Sequence, residues 1–412
     1  MRILVAHNFY QQPGGEDQVF RSELALLKQH GHDPVPFEMH NDDVAAMGKL
    51  ALAASTIWNR SSARKLGDAV RANNIDLVHF HNTFPLMSPA AYYAAHSAGA
   101  AVVQTLHNFR LLCPGANFFR DGKVCEKCLG KSIPLAGVKH KCYRDNRGAS
   151  AATAAMLSIH RAIGTWQNVV DAYITPTSFA RDKFISGGLP ADRIFAKPNF
   201  VEPDPGLRQG GGDYAIFVGR LSQEKGLDVL LKAWSDPTLP KLKIVGDGPL
   251  ADRVKAAVAS NPSIEWLGQK PTEAVFDLIG KSALLVFPSE CYETFGRTAV
   301  EAFATGTPVV ASGHGAPGDV VDHGRTGLHF TPSDPFDLAA KVKQLLGDAG
   351  LRARMRTEVR NEYLAKYTGA RNYDMLISIY ERARMRHPGH SDYISASAPA
   401  STATANVPVP RT

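Results

Sequence analysis

The chain has 412 residues, of which 44% are hydrophobic and 21% charged, and its formal net charge is +7. This length allows two or three domains, and the composition excludes a fibrous or wholly disordered protein. No apolar run approaches the roughly 18 residues that a membrane-spanning helix needs. The opening MRILVAHNFY lacks the pattern of a secretory signal and predicts a buried strand, so we expect a cytoplasmic protein.

The first half of the chain alternates apolar strands with helical segments. RILVAHN, IDLVHFHN, AAVVQTLHN and DAYITPT are the predicted strands, and residues 17–30 form a predicted helix. Strands that are apolar almost throughout are typical of parallel sheets covered by helices on both faces. The alternation therefore predicts a doubly wound α/β domain over residues 1–198.

A cysteine-rich insertion, residues 113–147, interrupts this first domain. Four of the chain's five cysteines lie in it: Cys113, Cys125, Cys128 and Cys142. A C-x2-C pair with two more cysteines at loop distances favours a structural zinc site, with His140 as an alternative ligand. The competing interpretation is a set of scattered reduced thiols, and an odd total of five argues against a disulfide framework.

The same insertion is strongly basic. Between Arg120 and Arg147 it has eight lysines and arginines against three acidic residues, so most of the net charge is local. Together with its aromatic residues, this raises the hypothesis of a zinc-dependent nucleic-acid-binding protein. An anionic membrane surface or an anionic acceptor would suit the charge equally well.

The second half repeats the α/β alternation after an irregular linker, residues 199–212, rich in proline and glycine. The predicted strands are YAIFVGR, KLKIVGDG, SIEWLG, ALLVFPS and TPVVAS. Helices are predicted at residues 227–234 and 298–305. We therefore predict a second domain over residues 213–368 that faces the first across a cleft.

The end of the chain predicts one amphipathic helix and a tail. Tyr373, Leu376, Ile377 and Tyr380 follow helical spacing within residues 369–386. No strand follows this helix, so it could return to the first domain. Residues 387–412 are rich in alanine, serine, threonine and proline, which predicts disorder.

Three glycine turns follow predicted strands and indicate anion binding. The glycines concerned are Gly14 and Gly15 in PGGED, Gly219 in VGRLSQEKG and Gly246 in VGDGPL. Glycine at the carboxyl end of a parallel strand lets backbone amides approach a phosphate. The alternative is that the glycines only make turns. VGDGPLA also fits a relaxed dinucleotide fingerprint, which leaves a nicotinamide enzyme as an alternative.

Charged residues of the second domain strengthen the phosphate hypothesis. Arg220 and Lys225 follow a strand closely enough to clamp neighbouring phosphates, although an exposed ion pair with Glu224 is the simpler alternative. Glu293 and Glu301, in FPSECYETFGRTAVEAFATGTPVVAS, are eight residues apart and bracket a turn and an apolar helix. Such carboxylates need donors if they are buried, and the hydroxyls of a ligand would supply them.

GRLSQEKGLDVLLKAW, IVGDGPL and FPSECYETFGRTAVEAFATGTPVVAS resemble the second domain of the GT4 family of retaining glycosyltransferases. PGGED and TLHN occupy the places of that family's first-domain motifs, so the resemblance covers most of residues 1–385. It implies the GT-B fold, with two Rossmann-like domains around a cleft. One departure is Pro317-Gly318-Asp319, where relatives often have Pro-Glu.

The resemblance also implies roles for individual residues. Arg220 and Lys225 would bind the diphosphate of a nucleoside-diphosphate sugar, and Glu301 its ribose. Glu293 would contact the transferred sugar. The backbone of Phe295 and Gly296, and that of Gly14 and Gly15 from the other domain, would complete the donor site.

His107 corresponds to a family histidine that lies near the sugar. As a lone histidine it could equally belong to the core, and His79 and His81 compete for the same role. Arg220, Lys225, Glu293 and His107 are thus the catalytic candidates, and no catalytic metal is expected because no D-x-D-like pair follows a strand.

The expected function is transfer of a sugar, with retention, to a lipid-linked or saccharide acceptor in cell-surface polysaccharide or lipopolysaccharide synthesis. The insertion lies on the side where the family places its acceptor, and nucleic acid is a less favoured partner. The enzyme would be cytoplasmic and could associate with the inner face of the plasma membrane. A sugar-nucleotide epimerase of the same fold is the alternative enzyme.

Overall fold

The computed structural model describes residues 1–11 and 14–387. Apart from His387, the segment 387–412 that is predicted to be disordered lies outside these residues. Pro13 of the PGGED turn also lies outside them. None of the helices within the described residues is both long enough and apolar enough to cross a membrane.

Strands and helices alternate along most of the described chain. The strands are β1 (Ile3–Phe9), β2 (Val35–His40), β3 (Leu77–Asn82), β4 (Ala101–Thr105), β5 (Phe119–Arg120), β6 (Lys123–Val124), β7 (Ala172–Thr175), β8 (Ile194–Ala196), β9 (Tyr214–Val218), β10 (Lys241–Val245), β11 (Ile264–Gly268), β12 (Leu284–Phe287), β13 (Val309–Ser312) and β14 (Gly327–Phe330). The α-helices are α1 (Gly15–Gln29), α2 (Lys49–Ile57), α3 (Arg60–Ala72), α4 (Ala90–Ser97), α5 (Leu135–Lys139), α6 (Arg147–Ala162), α7 (Thr165–Asn168), α8 (Ser178–Ser186), α9 (Leu227–Ala233), α10 (Ala251–Ser260), α11 (Thr272–Lys281), α12 (Arg297–Thr305), α13 (Gly315–Val320), α14 (Pro335–Gly347), α15 (Ala349–Lys366) and α16 (Gly369–Arg386).

Two parallel sheets of six strands form the frame of the molecule. The first has the order β2-β1-β3-β4-β7-β8 and the second the order β11-β10-β9-β12-β13-β14. In each sheet the order reverses beside the first strand, which places the ends of β1 and β9 at the switch point where ligands of such folds bind. The prediction of two doubly wound α/β units is confirmed.

Three strands of these sheets were not predicted. β2 lies at an edge, alternates between partly buried and exposed positions and contains Pro36, so its pattern is weaker than that of a central strand. β8 has three residues and β14 four, and strands this short show no clear hydrophobic periodicity. All three pair with a neighbour over their length, so tertiary pairing defines them.

Helix α16 packs on the first sheet, although α15 before it packs on the second domain. Leu376, Ile379, Tyr380 and Ala383 join the same buried cluster as residues of β1, β3 and β4. The chain therefore crosses between the domains twice. The two crossings touch, since the Val201 N–H donates to the Tyr367 carbonyl oxygen at 3.1 Å.

The cysteine-rich insertion follows β4 and contains the small antiparallel β5–β6 pair and helix α5. Its end leads directly into α6, whose N-terminus is capped by the Asn146 side chain. Phe118, near its start, and Phe109, just before it, are fully buried in the core of the first domain. The insertion is therefore a folded part of that domain and not a free loop.

Candidate functional site

A cleft of about 1380 Å³ lies between the two domains. The N-termini of two helices open into it, α1 from the first domain and α12 from the second, since Gly14 and Gly296 line its walls. Helix N-termini present unpaired N–H groups and a positive dipole end. The cleft is therefore built for a ligand with negative charge.

The glycine turn of the first domain is held in place by a buried pair. The Gly14 N–H donates to Asp17 Oδ2 at 2.7 Å, and His7 Nε2 lies 2.6 Å from Asp17 Oδ1. Burial lowers the pKa of His7 below its ordinary value, partly offset by its bond to Asp17. Asp17 thus fixes the turn, and Gly14 and Gly15 line the cleft.

Arg220 and Lys225 both line the second-domain wall of the cleft. Arg220 is exposed and forms no ion pair within the described chain, and Glu224 accepts from Ser222 instead of pairing with it. Lys225 Nζ lies 2.5 Å from Glu293 Oε1, which also accepts from Ser289 Oγ at 2.6 Å. Burial alone would lower the pKa of Lys225, but Glu293 raises it overall. Two cations and one carboxylate therefore line the same wall of the cleft.

The second predicted carboxylate, Glu301, is buried and lies behind the cleft wall. Its Oε1 accepts from Arg297 Nε at 2.8 Å, and Arg297 itself lines the cleft. Burial raises the pKa of Glu301 and Arg297 opposes that shift. A ligand hydroxyl would have to reach Glu301 beside Arg297. Arg297 was not among the residues predicted from the sequence.

The remaining predicted groups of the second domain surround these side chains. Phe295, Gly296 and Gly219 line the cleft. Gly296 has φ 152°, and a Cβ there would lie 2.6 Å from the Phe287 ring, so glycine is required at the N-cap of α12. Gly246 lies behind Gly219: a Cβ on it would lie 1.9 Å from the Gly219 carbonyl oxygen. Gly246 thus supports the wall by close packing.

His107 lines the first-domain wall of the cleft, whereas His79 and His81 are buried beneath it. His107 Nε2 lies 3.0 Å from His81 Nδ1. Burial, reinforced by His81, lowers the pKa of His107 well below its ordinary value, so the ring is neutral at pH 7. Of the three histidines, His107 is the one placed to touch a ligand.

Glu16 is a cleft residue that the sequence prediction missed. It lies in the first turn of α1, and its Oε2 is buried without a hydrogen-bond partner among the described residues. Burial raises the pKa of its carboxyl to about 7, which the bonds from Tyr10 and Asn108 partly oppose. The G-G-E-D run showed only a helix start, and nothing in it indicated a buried carboxyl.

Three side chains with metal-ligand atoms within 4.8 Å of one another are found once in the described chain, at Glu23, His79 and His81. The Lys197 ammonium lies 2.7 Å from Glu23 Oε1 at the same place. That ammonium already supplies the positive charge that the carboxylate needs. We therefore interpret the cluster as a hydrogen-bonded core network.

The four cysteines of the insertion are free thiols that line one small cavity with Arg120 and His140. Their sulfurs are less tightly grouped than the Glu23 cluster, because no three of them meet the 4.8 Å spacing in the described residues. Burial raises the pKa of Cys128 to about 11. His140 is engaged by Arg120 Nη1 at 2.9 Å. The donor set fits zinc in chemistry, since four thiols converge on one space.

Solved structures with the same fold cover nearly the whole chain. One is Anabaena HepE in complex with UDP and glucose, with a TM-score of 0.66 and 17% identity over 92% of this chain and 100% of that one. Another is the lipopolysaccharide outer core galactosyltransferase WaaB, with a TM-score of 0.60 and 16% identity over 92% and 99%. At these identities the likeness shows the GT-B fold alone.

Sequence comparison gives closer matches over part of the chain. An uncharacterised glycosyltransferase of Methanocaldococcus jannaschii is 32% identical over 185 residues, which are 44% of this chain and 52% of that protein. The chain spans about half or less of the length of the first curated relatives it matches. Residues 14–205 match the model of Glycosyltransferase Family 4, and residues 202–362 match that of Glycosyl transferases group 1. The two matches overlap at residues 202–205 and together span residues 14–362, so the chain is similar to GT4-like glycosyltransferases over both sheets except β1.

Proposed function

We propose that the protein transfers a sugar from a nucleoside-diphosphate sugar to an acceptor hydroxyl, with retention at the anomeric carbon. The observation that carries this proposal is the convergence in one cleft of two helix N-termini, Arg220, and the Lys225–Glu293 pair. A diphosphate needs such cations and amides, and a sugar needs such a carboxylate. Neighbours of the same fold bind UDP and UDP-glucose, which supports this class of donor.

In this proposal Arg220 and Lys225 bind the donor diphosphate and the α12 N-terminus faces it. Gly14 and Gly15 close over it from the first domain. Glu301 accepts from the ribose hydroxyls, and Glu293 from a hydroxyl of the sugar. His107 contacts the sugar from the opposite wall.

The reaction breaks the bond between the anomeric carbon and the diphosphate oxygen. The new bond forms on the same face, from the acceptor oxygen to the anomeric carbon, and the acceptor proton passes to the departing phosphate oxygen. Positive charge at Arg220 and Lys225 stabilises the negative charge that develops on the leaving group. No metal is needed for this charge compensation.

We further propose that the insertion forms part of the acceptor side and that its four cysteines hold a structural zinc ion. Arg144, at its end, lines the same cleft as His107 and has no ion-pair partner in the described residues. Because the insertion carries Arg144 into the cleft, pinning its loops by a metal would fix one edge of the acceptor site. A lipid-linked or saccharide acceptor with negative charge fits this arrangement.

An anionic membrane surface is the partner we propose for the outer face of the insertion. Ile133 is 58% and Leu135 66% exposed, and Ile163, after α6, is 51% exposed. The exposed Lys131 and Lys139 flank the first two. Basic side chains beside exposed apolar ones are typical of membrane-surface contacts, worth about 1 kcal/mol per basic residue.

The test of the donor site is a thermal-shift panel of UDP-, GDP-, TDP- and ADP-sugars. We expect one nucleotide class to raise the melting temperature of the wild type, and Glu301→Ala to abolish the shift because it removes the ribose contact. Glu265→Ala, on an exposed position of β11, is the matched control and should keep it.

The product of turnover separates the proposed transferase from an epimerase of the same fold, which would release a free epimerised sugar. Failure of every sugar nucleotide to shift a folded, zinc-replete sample would contradict the donor site. A strongly salt-dependent affinity for nucleic acid that survives Glu301→Ala would instead support a binding protein.

A further inference from the structure

A chain of buried polar groups runs from the core to His107. Glu23, on α1, lies between Lys197 and His81: its Oε1 is 2.7 Å from Lys197 Nζ and its Oε2 is 3.2 Å from His81 Nε2. His81 Nδ1 then lies 3.0 Å from His107 Nε2. Glu23, Lys197 and His81 are almost completely buried, so water does not compete for these contacts.

Glu23, at the start of this series of buried polar groups, carries a negative charge. Burial would raise the pKa of Glu23, but Lys197 and then His81 bring it well below its ordinary value, so the carboxylate is ionised. One carboxylate and one ammonium cancel. A second positive charge in this buried group would be uncompensated and costly.

A neutral imidazole has one N–H and one acceptor nitrogen, and its neighbours decide which is which. The 3.2 Å contact between Glu23 Oε2 and His81 Nε2 lacks hydrogen-bond geometry, but the carboxylate would repel a ring lone pair at this distance, so a neutral His81 carries its proton on Nε2. His81 Nδ1 is then an acceptor and must be met by an N–H from His107 Nε2. The remaining nitrogen of His107, Nδ1, has no partner and is not buried within the described residues.

We propose that Glu23, through His81, fixes the tautomer of His107 so that His107 Nδ1 faces the cleft as a hydrogen-bond acceptor. This inference rests on the proposed function, because the group it serves is a hydroxyl of the donor sugar. Glu23 is a positioning residue: it does not line the cleft and acts only through the two histidines.

The neighbouring His79 does not connect Glu23 to His107. Its Nε2 lies 2.7 Å from Thr105 Oγ1 and its Nδ1 lies 2.8 Å from the Tyr380 hydroxyl, so both ring nitrogens are used. Its Nδ1 is also 3.5 Å from Glu23 Oε2, farther than His81. Burial lowers the pKa of His79 well below its ordinary value, so it adds no charge.

The first experiment needs no ligand. In histidine-selectively ¹⁵N-labelled wild type, long-range ¹H–¹⁵N correlation spectra at pH 7 report which ring nitrogen is protonated, and His107→Asn assigns the signal. We expect a neutral His107 with its proton on Nε2. A proton on Nδ1, or a charged imidazolium at His81 or His107, would overturn the proposal.

The second experiment is Glu23→Gln. The amide can donate to His81 Nε2, which moves the His81 proton to Nδ1 and the His107 proton to its own Nδ1. We expect the tautomer of His107 to invert, and kcat/KM with the sugar nucleotide identified by thermal shift to fall roughly 10- to 100-fold. The affinity for the free nucleoside diphosphate should stay within about twofold of the wild type, since His107 does not contact it.

Thr105→Val is the matched control, because it removes a buried hydroxyl of the same cluster that is not on the path to His107. It should leave the tautomer and kcat/KM near the wild-type values. Equal losses in Thr105→Val and Glu23→Gln would overturn the positioning role. An inactive wild type with His107 protonated on Nε2 would contradict the proposed function and leave the tautomer assignment standing.

Discussion

At the scale of residues, the cleft combines carboxylates that have a cationic partner with one that has none in the described residues. Lys225 Nζ lies 2.5 Å from Glu293 Oε1, and Arg297 Nε lies 2.8 Å from Glu301 Oε1. Glu16 has no such partner in the part of the chain that the structure describes, and burial raises the pKa of its carboxyl to about 7. The ionisation of Glu16 should therefore be visible as a pH dependence of stability.

Glu16→Gln tests this dependence. The carboxyl ionises near 4.5 in the unfolded chain and near 7 in the folded one, so between these values only the folded state keeps the proton. The free energy of unfolding of the wild type then falls as pH rises through this window. The melting temperature of Glu16→Gln, measured relative to that of the wild type, should therefore rise by a few °C from pH 5 to pH 8.

Glu38→Gln, at an exposed position of β2, is the control for loss of a surface carboxyl. The same difference in melting temperature at pH 5 and at pH 8 would show that Glu16 does not titrate in this range. Differential scanning fluorimetry across buffers of equal ionic strength is sufficient for the measurement.

At the scale of elements, the insertion and its outer face can be tested separately. Purified protein should contain about one zinc ion per chain by mass spectrometry of metals, because four thiols surround one cavity. Removal of zinc by a chelator, or Cys125→Ser, should lower the melting temperature and slow transfer, since the metal would pin the loops that present Arg144. Four freely titrating thiols in the insertion, with no bound metal, would contradict the site.

The outer face predicts membrane binding. Ile133→Ser with Leu135→Ser should reduce co-flotation with vesicles containing phosphatidylglycerol, and added salt should weaken binding further because lysines contribute. Leu207→Ser, which is also exposed but lies at the linker, is the control and should bind as the wild type does. Equal flotation of the wild type and the double variant would rule out this surface.

The elements that sequence could predict are those whose own residues define them. The central strands and the helices α1, α9 and α12 lie where their apolar patterns place them, because the strands are buried on both faces and each helix buries an apolar face. The edge strands β2, β8 and β14 escaped prediction, since pairing and not pattern defines them.

The same distinction holds in the cleft. Arg220 and Glu293 were predicted from motifs close in sequence. The ion pair between Glu23 and Lys197 joins residues 174 apart in the sequence, and no local pattern predicts it. Glu16 was missed because burial of its carboxyl arises only when the first domain folds around it.

At the scale of the whole molecule, hydrogen bonds hold the two domains together at the cleft. Thr294 Oγ1 donates to the His107 carbonyl oxygen at 2.6 Å, and Thr177 Oγ1 donates to the Thr294 carbonyl oxygen at 2.9 Å. The Phe179 N–H donates to Asp319 Oδ2 at 3.0 Å, which gives the departure from Pro-Glu a structural role. These contacts favour the closed cleft in which both walls reach one ligand.

Thr294→Val should weaken this closure, because it removes the hydroxyl that the His107 carbonyl accepts from. We expect a roughly 5- to 20-fold loss of affinity for the sugar nucleotide, the equivalent of about one buried hydrogen bond. A larger radius of gyration by X-ray scattering should accompany the loss. Thr294→Ser keeps the hydroxyl and should behave as the wild type, so identical losses in both variants would contradict the explanation.

The return of helix α16 to the first domain has a consequence for how the protein is made. The first sheet leaves the ribosome early, whereas Leu376, Ile379 and Tyr380, which cover part of one of its apolar faces, are synthesised much later. His79 likewise has to wait until another 301 residues are synthesised before its hydrogen-bond partner Tyr380 is present. At roughly 5 to 20 residues per second, the second domain takes roughly 10 to 30 s to emerge. The domain translated first is therefore completed last, and for that interval the nascent chain exposes a surface that chaperones bind.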